Sequence, residues 1–333
     1  MLGLSGGRPK YCVTIGSQTL SWGERSRSWR GRPRYRCLVS QIPHGAVKAS
    51  PIEPNVIDRP ALEERLRALV GTPRGFRIGG WAVARDLPRS VTLLLPDWSV
   101  RMTVLSLERL PRRWEEQDAL IRWRLGQDQR LPLVGAKIVW QTFPASCAAE
   151  PSYQVVVVSI QENILAEYES LCESTGLIPR EVGVTSLHLF NLWLRASGTH
   201  KTFLEDLVWI SCSDGGFTCL VIHRGRPVFI RNKPAIVASS THRNGTDSEL
   251  SMRIVHEIQA SILSCRESYP ELTLRRLVVA AADEWAHLAG TLEHELNMTV
   301  DRLNWDHLAP LGWSQHGGNS SSTTLPTVAG MAA

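Results

Sequence analysis

The chain has 333 residues, 43% of them hydrophobic and 21% charged, which is the composition of a folded protein with material for more than one core and excludes a disordered chain. Its seven cysteines, Cys12, Cys37, Cys147, Cys172, Cys212, Cys219 and Cys265, are an odd set without a C-x-x-C pair. That pattern excludes a disulfide framework and a zinc cluster and points to a reducing compartment. The net charge of +5 rests on 37 basic residues, only five of them lysine, and no zinc finger, recognition helix or RNA-binding motif accompanies it, so no nucleic acid is expected as partner.

The opening MLGLSGGRPKYCVTIG lacks the apolar segment of a secretory signal. The longest apolar runs, such as Val155–Val158 and Leu277–Ala282, are the length of buried strands and far short of the roughly 18 residues of a spanning helix. A cytoplasmic protein is expected.

Two β-like runs, Tyr11–Ile15 and Tyr35–Ser40, flank the most basic segment, Arg25-Ser-Arg-Ser-Trp-Arg-Gly-Arg-Pro-Arg-Tyr-Arg36. Arginines interleaved with Trp29 and Tyr35 suit single-stranded bases or anionic lipid headgroups. They equally suit a solvated hairpin tip running into a strand, where Arg34, Arg36 and Leu38 alternate with an apolar face of Tyr35, Cys37 and Val39. Ala61–Val70 reads as a helix with Leu62, Leu66, Leu69 and Val70 on one face. Val91–Leu95 and Val100–Leu107 read as strands, Trp114–Gly126 as a charged helix, Lys137–Phe143 and Tyr153–Ile160 as strands. Gln161–Thr175 is a helix striped by Ile164, Leu165, Tyr168, Leu171 and Cys172, with Gly176 as its stop.

A second half opens near residue 205. Leu207–Cys212, Thr218–His223 and Pro227–Arg231 form sequential strands, the second turn being Arg224-Gly225-Arg226. Glu249–Ser264 is a helix, Leu277–Ala282 a strand and Glu284–Leu296 a helix, so the chain is mixed α/β with a loose internal duplication.

From about residue 51 onward, several phrases together resemble the PilM family of type IV pilus assembly proteins, of the actin/Hsp70-like superfamily. They are Leu95-Pro-Asp-Trp-Ser-Val-Arg101, Glu115-Glu-Gln-Asp-Ala-Leu-Ile-Arg-Trp-Arg-Leu125, Glu167-Tyr-Glu-Ser-Leu-Cys-Glu-Ser-Thr-Gly176, Gly215-Gly-Phe-Thr218 and Leu325-Pro-Thr-Val-Ala-Gly330. The resemblance implies an α/β, two-lobed actin-like (ribonuclease H-like) ATPase fold. Residues 1–97 would begin the first lobe, 98–180 would be an inserted α/β subdomain, 181–204 a connecting first-lobe helix, and 205–333 the second lobe with a helical insertion. It implies an adaptor of the pilus inner-membrane platform, held at that membrane through a PilN-like protein whose N-terminal tail it binds, with the pilus motor ATPase as a further partner. An active actin-like ATPase and a GspL-like type II secretion component are the alternatives. The latter family carries a span after its actin-like part, and the lack of one here makes the adaptor the expected reading.

In that superfamily two Gly/Ser/Thr-rich hairpin turns offer backbone N–H groups to phosphate, and each hairpin carries an aspartate for Mg²⁺. Here the first hairpin is Val13-Thr-Ile-Gly-Ser-Gln-Thr19, with Gly16 and Ser17 at the turn but Thr14 at the aspartate position. The second is Ile210-Ser-Cys-Ser-Asp-Gly-Gly-Phe-Thr218, with Ser211 at the aspartate position and Asp214 out of register. Ala280-Ala-Ala-Asp283 replaces the glycine-rich adenine turn. Gly16, Ser17, Gly215, Gly216 and Thr218 therefore line at most a vestigial nucleotide pocket, and little or no hydrolysis is expected. No cofactor is expected, ATP with Mg²⁺ remaining the open alternative. Gly215-Gly216 is also explained by a turn that needs positive φ.

No P-loop, H-E-x-x-H, G-x-S-x-G or dinucleotide fingerprint occurs. His242, His256, His287, His294 and His307 show no ligand spacing, so no metal is expected. Cys172 and Cys212 read as core. Of twelve tryptophans, Trp114, Trp123 and Trp209 alternate with charges and divide between interface anchors and core. The partner site is expected between about Pro96 and Thr175. There the helix carrying Trp114, Ile121 and Leu125 on one stripe, beside Arg122 and Arg124, either borders the site or closes the insertion's own small core.

Overall fold

The structure, a computed structural model, describes residues 9–27, 33–71, 76–78, 81–83, 88–128, 133–144, 153–198, 205–213, 216–234, 247–281, 285, 287–311, 314–315 and 322–332. Strand β1 (Tyr11–Ile15) pairs antiparallel with β2 (Thr19–Arg27), which pairs antiparallel with β3 (Pro33–Gln41). Helix α1 (Arg59–Val70) begins where the Asp58 carboxylate accepts the Ala61 N–H at 3.2 Å and ends at Gly71, φ +66°, a conformation glycine adopts without strain. It buries Leu62 and Leu66. Strands β4 (Phe76–Ile78) and β5 (Trp81–Val83) form a small hairpin. Strand β6 (Arg89–Leu95) then lies parallel to β1.

A 3₁₀ turn at Asp97–Ser99 leads into β7 (Arg101–Leu107), α2 (Trp114–Asp128), β8 (Ala136–Pro144) and β9 (Tyr153–Gln161). These strands make a three-stranded antiparallel sheet, order β7-β9-β8. Ile121 and Leu125 of α2 pack on one face of it, against Leu105, Leu107, Ile138, Val155 and Val157. Helix α3 (Glu162–Glu173) stops at Gly176, φ +79°, as its sequence predicts. Strand β10 (Leu177–Val184) lies parallel to β6, and α4 (Thr185–Ala196) follows.

Strands β11 (Leu207–Ser213), β12 (Gly216–His223) and β13 (Arg226–Pro234) form the expected meander. Its second turn has both Arg224 and Gly225 at positive φ, 48° and 75°, the geometry that suits tight hairpins. Helix α5 (Asp247–Ser268), strand β14 (Arg276–Ala281), helix α6 (Leu288–Leu296) and strand β15 (Thr299–Arg302) complete a five-stranded sheet, order β13-β12-β11-β14-β15. The chain closes with the short β16 (Ser314–Gln315), beside β3, and with α7 (Leu325–Ala332).

The chain divides into two units, 1–96 with 166–198 and 304–333, and 97–165 with 199–303. The first holds the six-stranded sheet β10-β6-β1-β2-β3-β16. This division departs from the expected one in three ways, the first being that 97–165, expected as an insertion of the first lobe, falls in one unit with 199–303. The insertion, expected to run to residue 180, ends earlier because Leu177–Val184 is a strand of the first sheet. The segment 304–333, expected in the second lobe, belongs to the first unit because α7 lies against β1 and β2. A Cβ on Gly330 would stand 2.4 Å from Cys12 Sγ, and one on Gly23 would stand 2.5 Å from Thr327 Cγ2. Two small residues therefore permit a helix and a sheet to approach this closely.

The arginine-rich tip is also shorter than expected. Strands β2 and β3 extend to the pair Arg27 and Pro33, leaving 28–32 between them, outside the described residues. Tyr35 and Cys37 are buried as the alternation predicts, but Val39 is 38% exposed.

Candidate functional site

In the first unit, Gly16 and Ser17 sit in the β1–β2 turn, where the Gly16 N–H donates to the Thr19 carbonyl at 2.9 Å. Thr14, at the expected aspartate position, shares a 3.0 Å hydrogen bond with the Thr327 hydroxyl of α7.

In the second unit, the register aligns four side chains in one row. Ala280 pairs with Ser211, Ser211 with Thr218, and Thr218 with Asn232, so all four share one sheet face. The alternate residues Ile210, Cys212, Phe217 and Cys219 point into the core beneath α5 and α6. The 3₁₀ turn at Asp97 covers this row. The buried Thr218 hydroxyl donates to the Asp97 carboxylate at 2.6 Å. The Asn232 amide donates to the carbonyls of Asp97 at 2.9 Å and Val100 at 3.0 Å. Ser211 Oγ is buried with no hydrogen-bond partner among the described residues.

Gly216 opens β12 rather than a positive-φ turn. A Cβ there would stand 2.8 Å from the Lys233 carbonyl oxygen, so the close approach of β13 is what calls for glycine. Gly215, Asp214 and Asp283 lie outside the described residues. The two positions at which the resemblance implies aspartate, Thr14 and Ser211, carry hydroxyls, and the hydroxyls of Thr14 and Thr218 are bonded within the protein. Asp97, Asn232 and Thr327 were not singled out as site residues by the sequence. The only signal for Asp97 was its place in the Leu95-Pro-Asp phrase.

On the three-stranded sheet, the stripe of α2 divides. Ile121 and Leu125 are buried in the small core, whereas Trp114 is 63% exposed and stacks on Trp140 of β8, ring centroids 5.6 Å apart. Arg122 Nε donates to the Asp118 carboxylate at 2.8 Å, and Arg124 is half-buried. Strand β8 is the edge of that sheet among the described residues. Trp123 is exposed, but Trp209 is core.

The six described cysteines are buried and unpaired. Burial pushes the thiols of Cys37, Cys172 and Cys219 up to about 12 and that of Cys265 to about 11. None of these four is poised as a nucleophile. Among the described residues no cluster of His, Cys, Asp and Glu can hold a metal ion.

Two α/β units, each built on a sheet that opens with three sequential antiparallel strands, have the actin-like fold class. The chain is similar in fold to the PilM-PilN type IV pilus biogenesis complex, with 15% sequence identity, TM-score 0.67, and coverage of 97% of this chain and 98% of that one. It is more distantly similar to a Bacteroides thetaiotaomicron protein with an actin-like ATPase fold and unknown function, at 9% identity, TM-score 0.47 and coverage of 92% and 96%. The cytoplasmic domain of EpsL, an inner-membrane component of the Vibrio cholerae type II secretion system, matches at 10% identity, TM-score 0.47 and coverage of 97% and 94%. No protein-family profile and no curated protein sequence matches the chain.

Proposed function

We propose that this chain is a PilM-like adaptor of a type IV pilus platform, which binds the cytoplasmic N-terminal tail of a PilN-like membrane protein and turns over no ATP. The observation that carries the proposal is the fold likeness to the PilM-PilN complex over nearly the full length of both chains. The absence of turnover is supported by Thr14 and Ser211 at the two expected carboxylate positions and by the internal partners of Thr14 and Thr218. No described helix is long and apolar enough to cross a membrane, and the adaptor would reach the membrane through its partner.

The exposed Trp114, stacked on the half-buried Trp140 of the edge strand β8, supports a tail site on the three-stranded sheet. An extended peptide gains affinity from strand-edge hydrogen bonds and specificity from side-chain contacts. Arg122 and Arg124 would border it. The test is calorimetric titration of the full chain with a synthetic N-terminal tail of a PilN-like membrane protein from the same organism. Saturable binding is expected, weakened about tenfold or more in an Arg122→Glu, Arg124→Glu variant with unchanged circular dichroism. An absence of tail binding would refute the adaptor reading. Full affinity in the variant would remove these arginines from the site.

A further inference from the structure

Several arginines of the first unit have partners. Arg59 and Arg67 each pair with Glu63 at 2.9 Å. The Arg89 guanidinium lies 5.7 Å from the Tyr11 ring centroid and 5.8 Å from that of Trp22. Arg25 donates to the Met331 carbonyl at 2.9 Å, and Arg195 donates to that of Ala332. Arg27, Arg34 and Arg36, at the far end of the β2–β3 ribbon, differ. Among the described residues no acidic side chain pairs with them, and Glu24 is the only acid on the two strands.

The strand register fixes their directions. Arg36 stands opposite Glu24 and Arg34 opposite Ser26, so both project from one face. Arg27, opposite Pro33, projects from the other. Arg27 and Arg36 are exposed and Arg34 half-buried. Tyr35, the aromatic between them, is only 1% exposed.

We propose that this end of the β2–β3 ribbon is an electrostatic docking site for an anionic lipid surface. Unpaired guanidiniums on both faces suit a ribbon end entering a headgroup layer, where negative charge surrounds it. A nucleic-acid strand would meet one face and would need exposed aromatics for its bases to stack on. The described ribbon, with Tyr35 in the core, has no such platform. The inference is independent of the tail-binding proposal, because it needs no protein partner.

Flotation of the purified full chain with vesicles of mixed phosphatidylglycerol and phosphatidylcholine tests it. Binding is expected at low salt, weakening as salt rises, with none to phosphatidylcholine alone. Each arginine near such a surface is worth about fivefold in affinity. An Arg27→Gln, Arg34→Gln, Arg36→Gln variant should therefore lose on the order of a hundredfold. The single variant Arg36→Gln, at an exposed position, should lose about fivefold and guards against misfolding of the triple variant. Equal binding to neutral vesicles, or undiminished binding by the folded variants, overturns the proposal. So does binding of a single-stranded oligonucleotide through these arginines without vesicle binding, which would assign the site to nucleic acid.

Discussion

Ser211 and Thr218 face one another across β11 and β12, and their hydroxyls have opposite fates. Thr218 donates a hydrogen bond to a carboxylate, a charge-assisted bond worth about 1.5–3 kcal/mol. Ser211 Oγ is buried without a partner among the described residues, and removing such a group costs nothing in hydrogen bonding. Thr218→Val should lower unfolding stability by about 2 kcal/mol, whereas Ser211→Ala should leave it unchanged or raise it, as read from urea midpoints at constant slope. A matching loss in both variants would mean that Ser211 has a partner after all. The sequence marked both positions because their neighbours resemble a known hairpin. It could not mark Asp97, whose bond to Thr218 spans 121 residues of chain. Contacts of that separation leave no periodicity to read.

At the scale of elements, helices α1 and α3 were legible from apolar residues recurring at helical spacing, whereas the stripe Leu189, Leu192 and Trp193 of α4 was not read. Leu62 with Leu66 marked α1, and Gly176 marked the stop of α3. Strand β10 was not legible, because Leu177-Ile-Pro-Arg-Glu-Val-Gly-Val184 mixes proline and charge. It is the edge of the first sheet, with an irregularity between Pro179 and Glu181, and an edge tolerates both features. Strand β2 was hidden by Gly23 and its arginines, since its glycine answers to a helix hundreds of residues away. That packing predicts a large effect at the other glycine. Gly330→Val must force side-chain atoms against Cys12 Sγ and Leu94 and should destabilise by about 1–3 kcal/mol, measured by thermal or urea unfolding. Helix α1 carries a pH signature of its own. Hydrogen bonds from Arg59, then Ser174 and Arg67, lower the Glu63 carboxyl from its ordinary 4.5 to about 2. Its contribution is complete above pH 4.5 and is lost as pH falls toward 2. Glu63→Gln should flatten the stability profile in that window and leave the slope near neutrality unchanged.

For the whole molecule, the sequence conveyed a two-part α/β architecture because apolar strands and amphipathic helices alternate through both halves. It misplaced the seams, since a seam is defined by long-range packing rather than by local composition. The expected lack of catalysis belongs to this scale too, because phosphate chemistry in such a fold needs several groups held together. Each absent transition-state contact costs about 3 kcal/mol. Purified protein should show no Mg²⁺-dependent ATP turnover above background in a coupled phosphate-release assay, and steady turnover abolished by Asp97→Asn would reverse that expectation.

Helix α7 has a consequence for synthesis. Strands β1, β2 and β6, against which it packs, are translated before it, so the side chains that cover Cys12 and Gly23 arrive after the sheet they cover. Until then that sheet face is bare and apolar, the kind of surface that folding chaperones engage. A chain truncated before Leu325 would keep the face exposed and should be recovered aggregated or chaperone-bound, where the longer chain is not.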